Sequence, residues 1–139
     1  MKSLVAVLLL CCPLTLIADQ GHQHHFDANE KIGTVHFPIS CKGQQAAFER
    51  GVALLHTFWY DQAAAQFKEI ATKDPSCAIA YWGEAMSIFH QIWDRPNDAT
   101  LKKGLGMVQQ GQKAGAKTQR ERDYIDALAV FYRESGYAD

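Results

Sequence analysis

The fold is decided by residues 44–93, which read QQAAFERGVALLHTFWYDQAAAQFKEIATKDPSCAIAYWGEAMSIFHQIW. This stretch matches itself after a shift of 34 residues. The matched positions keep the size or the identity of the side chain, as in the pairs Gly51/Ala85, Leu54/Ile88, His56/His90 and Trp59/Trp93. A self-similarity of this length is typical of stacked helix–turn–helix units. The identical His-x-x-Trp word one period apart argues against a chance match.

Apolar residues recur every three or four positions in the first unit, as they do on one face of a helix. The elements predicted from this spacing are a helix, a turn and a helix, at residues 44–57, 58–60 and 62–72. Asp61 is the predicted N-cap of the second helix. Gly51 costs about 1 kcal/mol inside a helix, so we expect close approach of the second helix near Ala63 to offset it. Pro75 ends the unit, because the residue before a proline avoids helical geometry.

Three more helices are predicted downstream, at residues 77–91, 99–114 and 118–134. Ser76 is the predicted cap of the first, and Thr118 and Glu121 form a capping box in the last. The middle helix has three glycines that lower its stability by about 2–3 kcal/mol, Gly104, Gly106 and Gly111. Tertiary contacts must therefore hold it. Gly115 is its predicted C-terminal cap.

Together these elements predict an all-α fold, a right-handed α-solenoid of antiparallel helix pairs with about two and a half repeats. Its parts are repeat 1, an irregular repeat 2 and the first helix of repeat 3, at residues 44–77, 78–117 and 118–139. An apolar surface is expected at the end of the last helix, from Val130, Phe131 and Tyr132. We therefore expect further repeats in a longer chain, or self-association.

The first eighteen residues have the layout of a secretory signal. Lys2 supplies a positive charge, Leu4–Leu10 form an apolar run, and Ala18 is a small residue before Asp19. The segment is too short to span a membrane and Pro13 interrupts it, so no stable membrane anchor is expected after cleavage. The prediction is an exported protein, periplasmic or extracellular.

Removal of the signal leaves two cysteines, Cys41 and Cys77. Cys41 precedes the first helix and Cys77 opens the corresponding helix of the next repeat, and such helices stack roughly 8–10 Å apart. A bridge needs the two Cα atoms within about 7 Å, so pairing depends on how the segment before the first helix curls. In an oxidising compartment, the sequence is consistent with either a disulfide or two free thiols.

Residues 19–43 are predicted to form a flexible arm and an extended lead-in to the first helix. In the lead-in, Pro38 excludes a continuous helix, so residues 35–39 should lie extended against the first helix. The arm carries three histidines that are weak candidates for binding copper or zinc, His22, His24 and His25. No cysteine or carboxylate spacing closes a site around them, and the alternative is a solvated arm that binds metal opportunistically.

Charge and motifs argue against several functions. The 14 basic and 15 acidic side chains nearly balance, so no field attracts nucleic acid. The sequence has no nucleophile elbow, zinc-protease helix, phosphate-binding glycine loop or haem-attachment motif. We therefore expect no enzyme activity and no cofactor in this chain. A further hypothesis is that it is the N-terminal part of a larger protein whose activity lies beyond Asp139.

The chain resembles the tetratricopeptide-repeat proteins. Ala63, Phe67 and Pro75 follow Gly51 at offsets of 12, 16 and 24, as in that family's unit. More narrowly, it is similar to exported bacterial tetratricopeptide proteins of unassigned activity, through the words HFPISC, ALLHTFWYDQAAAQF, DPSCAIAYWGEAM and TQRERDYIDAL. Members of that group are generally several times longer. The resemblance implies a solenoid whose first helices line a concave groove that binds a peptide or a partner protein, without catalysis.

The predicted partner-binding groove follows one face of the first and third helices. Its candidate residues are Phe48, Val52, His56, Trp59, Trp82, Met86, His90 and Trp93. In one interpretation, the repeated histidines and tryptophans form a ligand or metal patch at the rim of this groove. In the preferred one, each tryptophan packs under its turn and each histidine caps the last carbonyls of its helix. The main functional alternative is a periplasmic metal-binding protein that uses the arm histidines.

Overall fold

The computed structural model describes residues 31–90 and 96–134. Within these residues a short 3-10 helix, Lys42–Gln44, precedes five α-helices, which are α1 Gln45–His56, α2 Tyr60–Lys73, α3 Ala78–Ser87, α4 Asp98–Ala114 and α5 Gln119–Glu134. The predicted all-α class is therefore confirmed for the part of the chain that the structure describes. None of these described helices is both long enough and apolar enough to cross a membrane.

Helix α3 lies at the centre of the packing. Each helix packs against the next along the chain, and α3 also contacts α1 and α5. Helix α2 thus contacts α1 and α3, and α4 contacts α3 and α5. The largest apolar side chains at the centre of this core are fully buried, namely Phe48, Phe67, Leu54, Ile70, Ile79 and Ile125.

Glycines let three helices approach closely around Phe67. The ring of this α2 residue lies against Gly51 of α1 and Gly83 of α3. A Cβ at Gly51 would lie 2.7 Å from the ring, and one at Gly83 would overlap it. The close approach predicted at Gly51 is therefore present. Ala63 is fully buried, but the group that occupies the space over Gly51 is Phe67.

Two of the three α4 glycines make tertiary contacts. Gly104 lies against the ring of Tyr132 on α5, where a Cβ would overlap the ring. A Cβ at Gly111 would lie 3.0 Å from the backbone carbonyl oxygen of Ala78 on α3. Gly106 has open space around it. The expectation that tertiary contacts hold α4 is confirmed, and the glycines themselves create those contacts.

Helix ends agree only in part with the sequence. Gly115, at φ 79°, closes α4 as predicted. The N-cap of α2 is Trp59 and not Asp61. Asp61 lies in the first turn of the helix, where its carboxylate still interacts favourably with the helix dipole. Ser76 does not cap α3 either. Its hydroxyl and its amide both donate to a carboxylate oxygen of Asp74, so the turn before α3 uses that side chain.

Hydrogen bonds near the end of the lead-in hold it against α1 and α5. The side-chain amide of Gln45 donates to the carbonyl of Phe37 and accepts from the amide of Ile39, both at 2.9 Å. This confirms the prediction that the lead-in lies against the first helix. Ser40 also donates to Glu121 of α5, through its amide at 2.7 Å and its hydroxyl at 2.8 Å. These two bonds join residues 81 positions apart, so they could not be predicted from local sequence patterns.

Cys41 and Cys77 form a disulfide, with their Cα atoms 5.5 Å apart. Of the two alternatives left by the sequence, the structure therefore has the bridge. The bond ties the end of the lead-in to the residue before α3, and the Cys77 side chain is buried. The lead-in is thus joined covalently to the central helix.

The capping box of α5 is present. The amide of Glu121 donates to the Thr118 hydroxyl at 3.2 Å, and the amide of Thr118 donates back to the Glu121 carboxylate at 3.4 Å. Glu121 is 1% exposed. Burial raises the pKa of its carboxyl, but the hydrogen bonds from Ser40 and Thr118 outweigh burial and hold the pKa below its ordinary value.

Glu121→Gln is expected to destabilise the fold by about 2 kcal/mol near pH 7, because an amide cannot accept all the bonds that the carboxylate accepts. Since the folded-state pKa is depressed, the carboxylate's contribution is fully present above about pH 4.5 and is lost as the pH falls through the folded value. Urea unfolding of both proteins near pH 7 and near pH 3 checks this: the difference should shrink in acid. The matched control is Glu69→Gln, whose exposed pair with Lys73 is worth at most about 0.5 kcal/mol. Equal effects of the two substitutions would contradict the role of Glu121.

The apolar surface expected on α5 is only partly exposed. Val130 is 43% exposed, as expected. Phe131 packs against Phe89, with ring centroids 4.5 Å apart. The expectation is wrong for Tyr132, which is buried and donates its hydroxyl to the carbonyl of Ala85 at 2.6 Å. The missing Cβ of Gly104 makes the space for this ring.

Candidate binding groove

A cavity of about 500 Å³ opens between α1, α3 and α5, with the lead-in as one wall and the first residue of α2 also in its lining. We call it the apolar groove, and its described lining residues are Phe37, Val52, Leu55, His56, Phe58, Tyr60, Trp82, Met86 and Tyr124. Ligand cavities in proteins usually have volumes of about 300–1,000 Å³ and mostly apolar linings. The groove matches both properties.

Aromatic rings from three separate segments form one wall of the groove. Phe37 of the lead-in stacks on Trp82 of α3, with ring centroids 5.8 Å apart. Tyr124 of α5 contacts both rings, at 5.3 Å in each case. The guanidinium of Arg120 lies over the Phe37 ring at 4.9 Å. Since aromatic pairs and cation–π contacts each add favourable energy, this wall is already formed without a ligand.

Four of the eight predicted groove residues line the cavity, namely Val52, His56, Trp82 and Met86. Phe48 does not line it, because Phe37 packs over its ring at 5.3 Å. Phe48 is fully buried and also packs against Phe67, so it belongs to the core below the groove. Trp59 and His90 are half-buried and do not line the cavity. Trp93 lies outside the described residues.

The repeated His-x-x-Trp word does not place its two histidines equivalently. His56 is the last residue of α1 and is exposed at the edge of the groove. Helix α3 ends at Ser87, short of the predicted residue 91, because the next two amides bond to carbonyls three residues back and tighten the chain. His90 therefore lies past the helix, where its ring stacks on Tyr60 at 4.5 Å.

Metal binding gains no support from the described residues. Within residues 31–90 and 96–134, no three histidine, cysteine or acidic side chains are grouped closely enough to hold an ion. The weak candidates His22, His24 and His25 lie outside these residues. Metal binding by the arm therefore stays a prediction.

Sequence reasoning missed five lining residues, Phe37, Leu55, Phe58, Tyr60 and Tyr124. Leu55 follows Val52 by three positions on the apolar face of α1, so the helical period alone could have identified it. Phe58 lies in the turn after α1 and Tyr60 is the first residue of α2, and the repeat pattern does not specify the shape of that turn. Phe37 and Tyr124 enter the groove through contacts between distant parts of the chain.

The groove and the opposite side of the helices differ in charge. The described residues that line the groove include no aspartate, glutamate, lysine or arginine. A second cavity, of about 430 Å³, lies between α2, α3 and α4 and is lined in part by Lys68, Glu84, Lys102 and Lys103. Burial raises the pKa of Glu84, although Lys68 and Lys103 act in the opposite direction. Of the two cavities, only the second therefore has lysine and glutamate side chains in its described lining.

These features define a class: an all-α protein in which α1, α3 and α5 enclose a preformed apolar groove. No family model, curated protein or solved structure matches this chain. Any function proposed for the chain therefore rests on the geometry of the described residues and on the repeat pattern of the sequence.

Proposed function

We propose that this chain is an exported, tetratricopeptide-like α-solenoid module that binds a peptide or a partner protein in the apolar groove. The observation that carries the proposal is the position of the groove among α1, α3 and α5. These are the first helices of repeat 1, of the irregular repeat 2 and of the partial repeat 3 that the sequence predicts. In a solenoid of helix pairs, equivalent helices of successive repeats line one continuous binding surface.

The order of helix contacts supports the solenoid arrangement. Helices α1, α3 and α5 contact in that order, while α2 and α4 each pack between two of them. This alternation is what stacked helical hairpins produce, since each repeat contacts its neighbours. The disulfide supports export, because such bonds persist in oxidising compartments and are rare in the cytosol.

The chemistry of the lining supports binding. The polar groups among its described side chains include the imidazole of His56 and the phenol hydroxyl of Tyr124. Such groups can donate hydrogen bonds to, and accept them from, a peptide backbone. A mostly apolar site with a few polar groups is the usual composition of a site that orients a ligand.

Selection from a displayed random-peptide library tests the proposal. Peptides enriched on the full chain should bind Met86→Glu at least about tenfold more weakly, because a charge would be buried in the groove without a partner. Met107→Glu is the matched control, since Met107 lines the second cavity on α4 and should leave peptide affinity unchanged. Failure to enrich any peptide, or equal binding to both variants, would contradict the proposed function.

A further inference from the structure

Two hydrogen-bond donors in the lining of the apolar groove have no acceptor within the described residues, 31–90 and 96–134. One is the indole N–H of Trp82, a residue that is only 8% exposed but whose nitrogen is not closed off from solvent. The other is the phenol hydroxyl of Tyr124, on a residue that is 40% exposed. The two rings meet edge to face, with centroids 5.3 Å apart. Because buried donors in folded proteins usually have a partner, we expect an acceptor from a ligand at Trp82.

The backbone at the wall formed by the lead-in is already hydrogen-bonded. The amide of Phe37 donates to the carboxylate of Glu49 at 3.0 Å, and its carbonyl accepts from the side-chain amide of Gln45 at 2.9 Å. Most of the other described lining residues lie in α1, α3 and α5, where backbone groups bond within the helix. A peptide cannot pair with Phe37 as an added strand, so side chains must hold the occupant of the groove.

This arrangement sets a condition on the backbone of a bound peptide. An ordinary peptide would bury amide N–H groups against a mostly apolar lining, and each buried donor without an acceptor costs free energy. The indole of Trp82 cannot help, since it is a donor only. Proline has no backbone N–H but keeps its carbonyl acceptor. A proline segment therefore offers acceptors to Trp82 and Tyr124 without burying unpaired amides.

The apolar part of the lining also matches proline. Five of the nine described lining residues have phenyl, phenol or indole rings, namely Phe37, Phe58, Tyr60, Trp82 and Tyr124. Proline-rich segments bind in grooves lined by aromatic rings, and their extended polyproline II conformation is largely formed before binding. The rings of Phe37, Trp82 and Tyr124 are likewise packed together without a ligand. Little conformational freedom would therefore be lost on either side.

We infer that the apolar groove binds a proline-rich peptide segment, with Trp82 and Tyr124 donating hydrogen bonds to its carbonyl groups. This rests on the proposed function and specifies the ligand of the same groove. An alanine-rich segment of equal length would bury its amides at the same wall and should bind more weakly.

The test uses the full chain and two dye-labelled peptides with blocked ends, Gly-Pro-Pro-Leu-Pro-Pro-Gly and Gly-Ala-Ala-Leu-Ala-Ala-Gly. Fluorescence anisotropy should show that the proline peptide binds at least about tenfold more tightly. Tyr124→Phe should weaken its binding about fivefold, because the variant lacks only the hydroxyl. Tyr81→Phe is the matched control, since the Tyr81 hydroxyl bonds to the carbonyl of Pro75 and Tyr81 is not a groove residue. It should leave the affinity unchanged.

A nuclear magnetic resonance spectrum reads out the second donor directly. The indole N–H signal of Trp82 is identified as the one that is missing from the spectrum of Trp82→Phe. This signal should shift when the proline peptide is added, because its proton enters a hydrogen bond.

The outcomes separate the inference from the function on which it rests. If no peptide binds the unmodified protein, including those selected from the random library, the proposed function fails. If library peptides bind but the proline peptide binds no more tightly than the alanine peptide, the ligand class is overturned and the proposed function stands. Equal affinities of the two tyrosine variants, or an unmoved Trp82 signal, would overturn the roles of the two donors.

Discussion

Replacing Gly104 with alanine is expected to destabilise the protein by about 3 kcal/mol, whereas Gly106→Ala in the same helix should stabilise it by about 1 kcal/mol. The added Cβ at Gly104 would overlap the ring of Tyr132. That ring cannot move aside easily, because it is buried and its hydroxyl is bonded to the carbonyl of Ala85. At Gly106 the Cβ meets open space, so only the better helix propensity of alanine remains.

Urea unfolding followed by far-UV circular dichroism measures both effects. The pair is internally controlled, because the two substitutions add the same methyl group two residues apart. Destabilisation of similar size at both positions would show that Tyr132 does not occupy the space over Gly104. It would also contradict the conclusion that the contact between Gly104 and Tyr132 helps to hold α4 in place.

Reducing the Cys41–Cys77 disulfide is expected to lower stability by about 4 kcal/mol. The two cysteines are 36 residues apart in the sequence. Closing a loop of this length lowers the conformational entropy of the denatured state, which raises the free energy of unfolding by about 4 kcal/mol. Reduction also frees the end of the lead-in from the residue before α3. Ser40 and Gln45 still hold the lead-in, so the helices should remain folded with lower stability.

The measurement is urea unfolding with and without a phosphine reductant. The control is the double substitution of Cys41 and Cys77 with serine, which should have a low midpoint that does not respond to the reductant. An unchanged midpoint of the unmodified protein under reducing conditions would contradict the stabilising role of the bond.

The positions of the helices could be predicted because they depend on local patterns. The three- and four-residue spacing of apolar side chains, the proline after α2 and the Thr118/Glu121 capping box are all local, and the helices occur close to where they were expected. The burial of Phe67 and Ala63 followed from the same repeat pattern. Four of the nine described lining residues could be predicted for this reason, and two of them, Val52 and Met86, are matched positions on two helices.

Two of the missed lining residues, Phe37 and Tyr124, depend on contacts between residues far apart in the sequence. Phe37 forms a wall because the disulfide, Gln45 and Glu121 fix the lead-in, and those constraints come from three different places in the chain. The sequence predicts the end of α3 at residue 91, because apolar residues continue past Ser87, but the helix ends at Ser87. The sequence predicts that the three glycines of α4 lower its stability, but it does not show that Gly104 faces α5 and Gly111 faces α3.

The most direct test of the central claim is a map of amide chemical-shift changes in the labelled protein on addition of a peptide selected on it. The predicted result is that the largest changes occur at Val52, Met86 and Tyr124, on the three helices that enclose the apolar groove. Changes centred instead on Lys68 and Met107, which line the cavity between α2, α3 and α4, would contradict it.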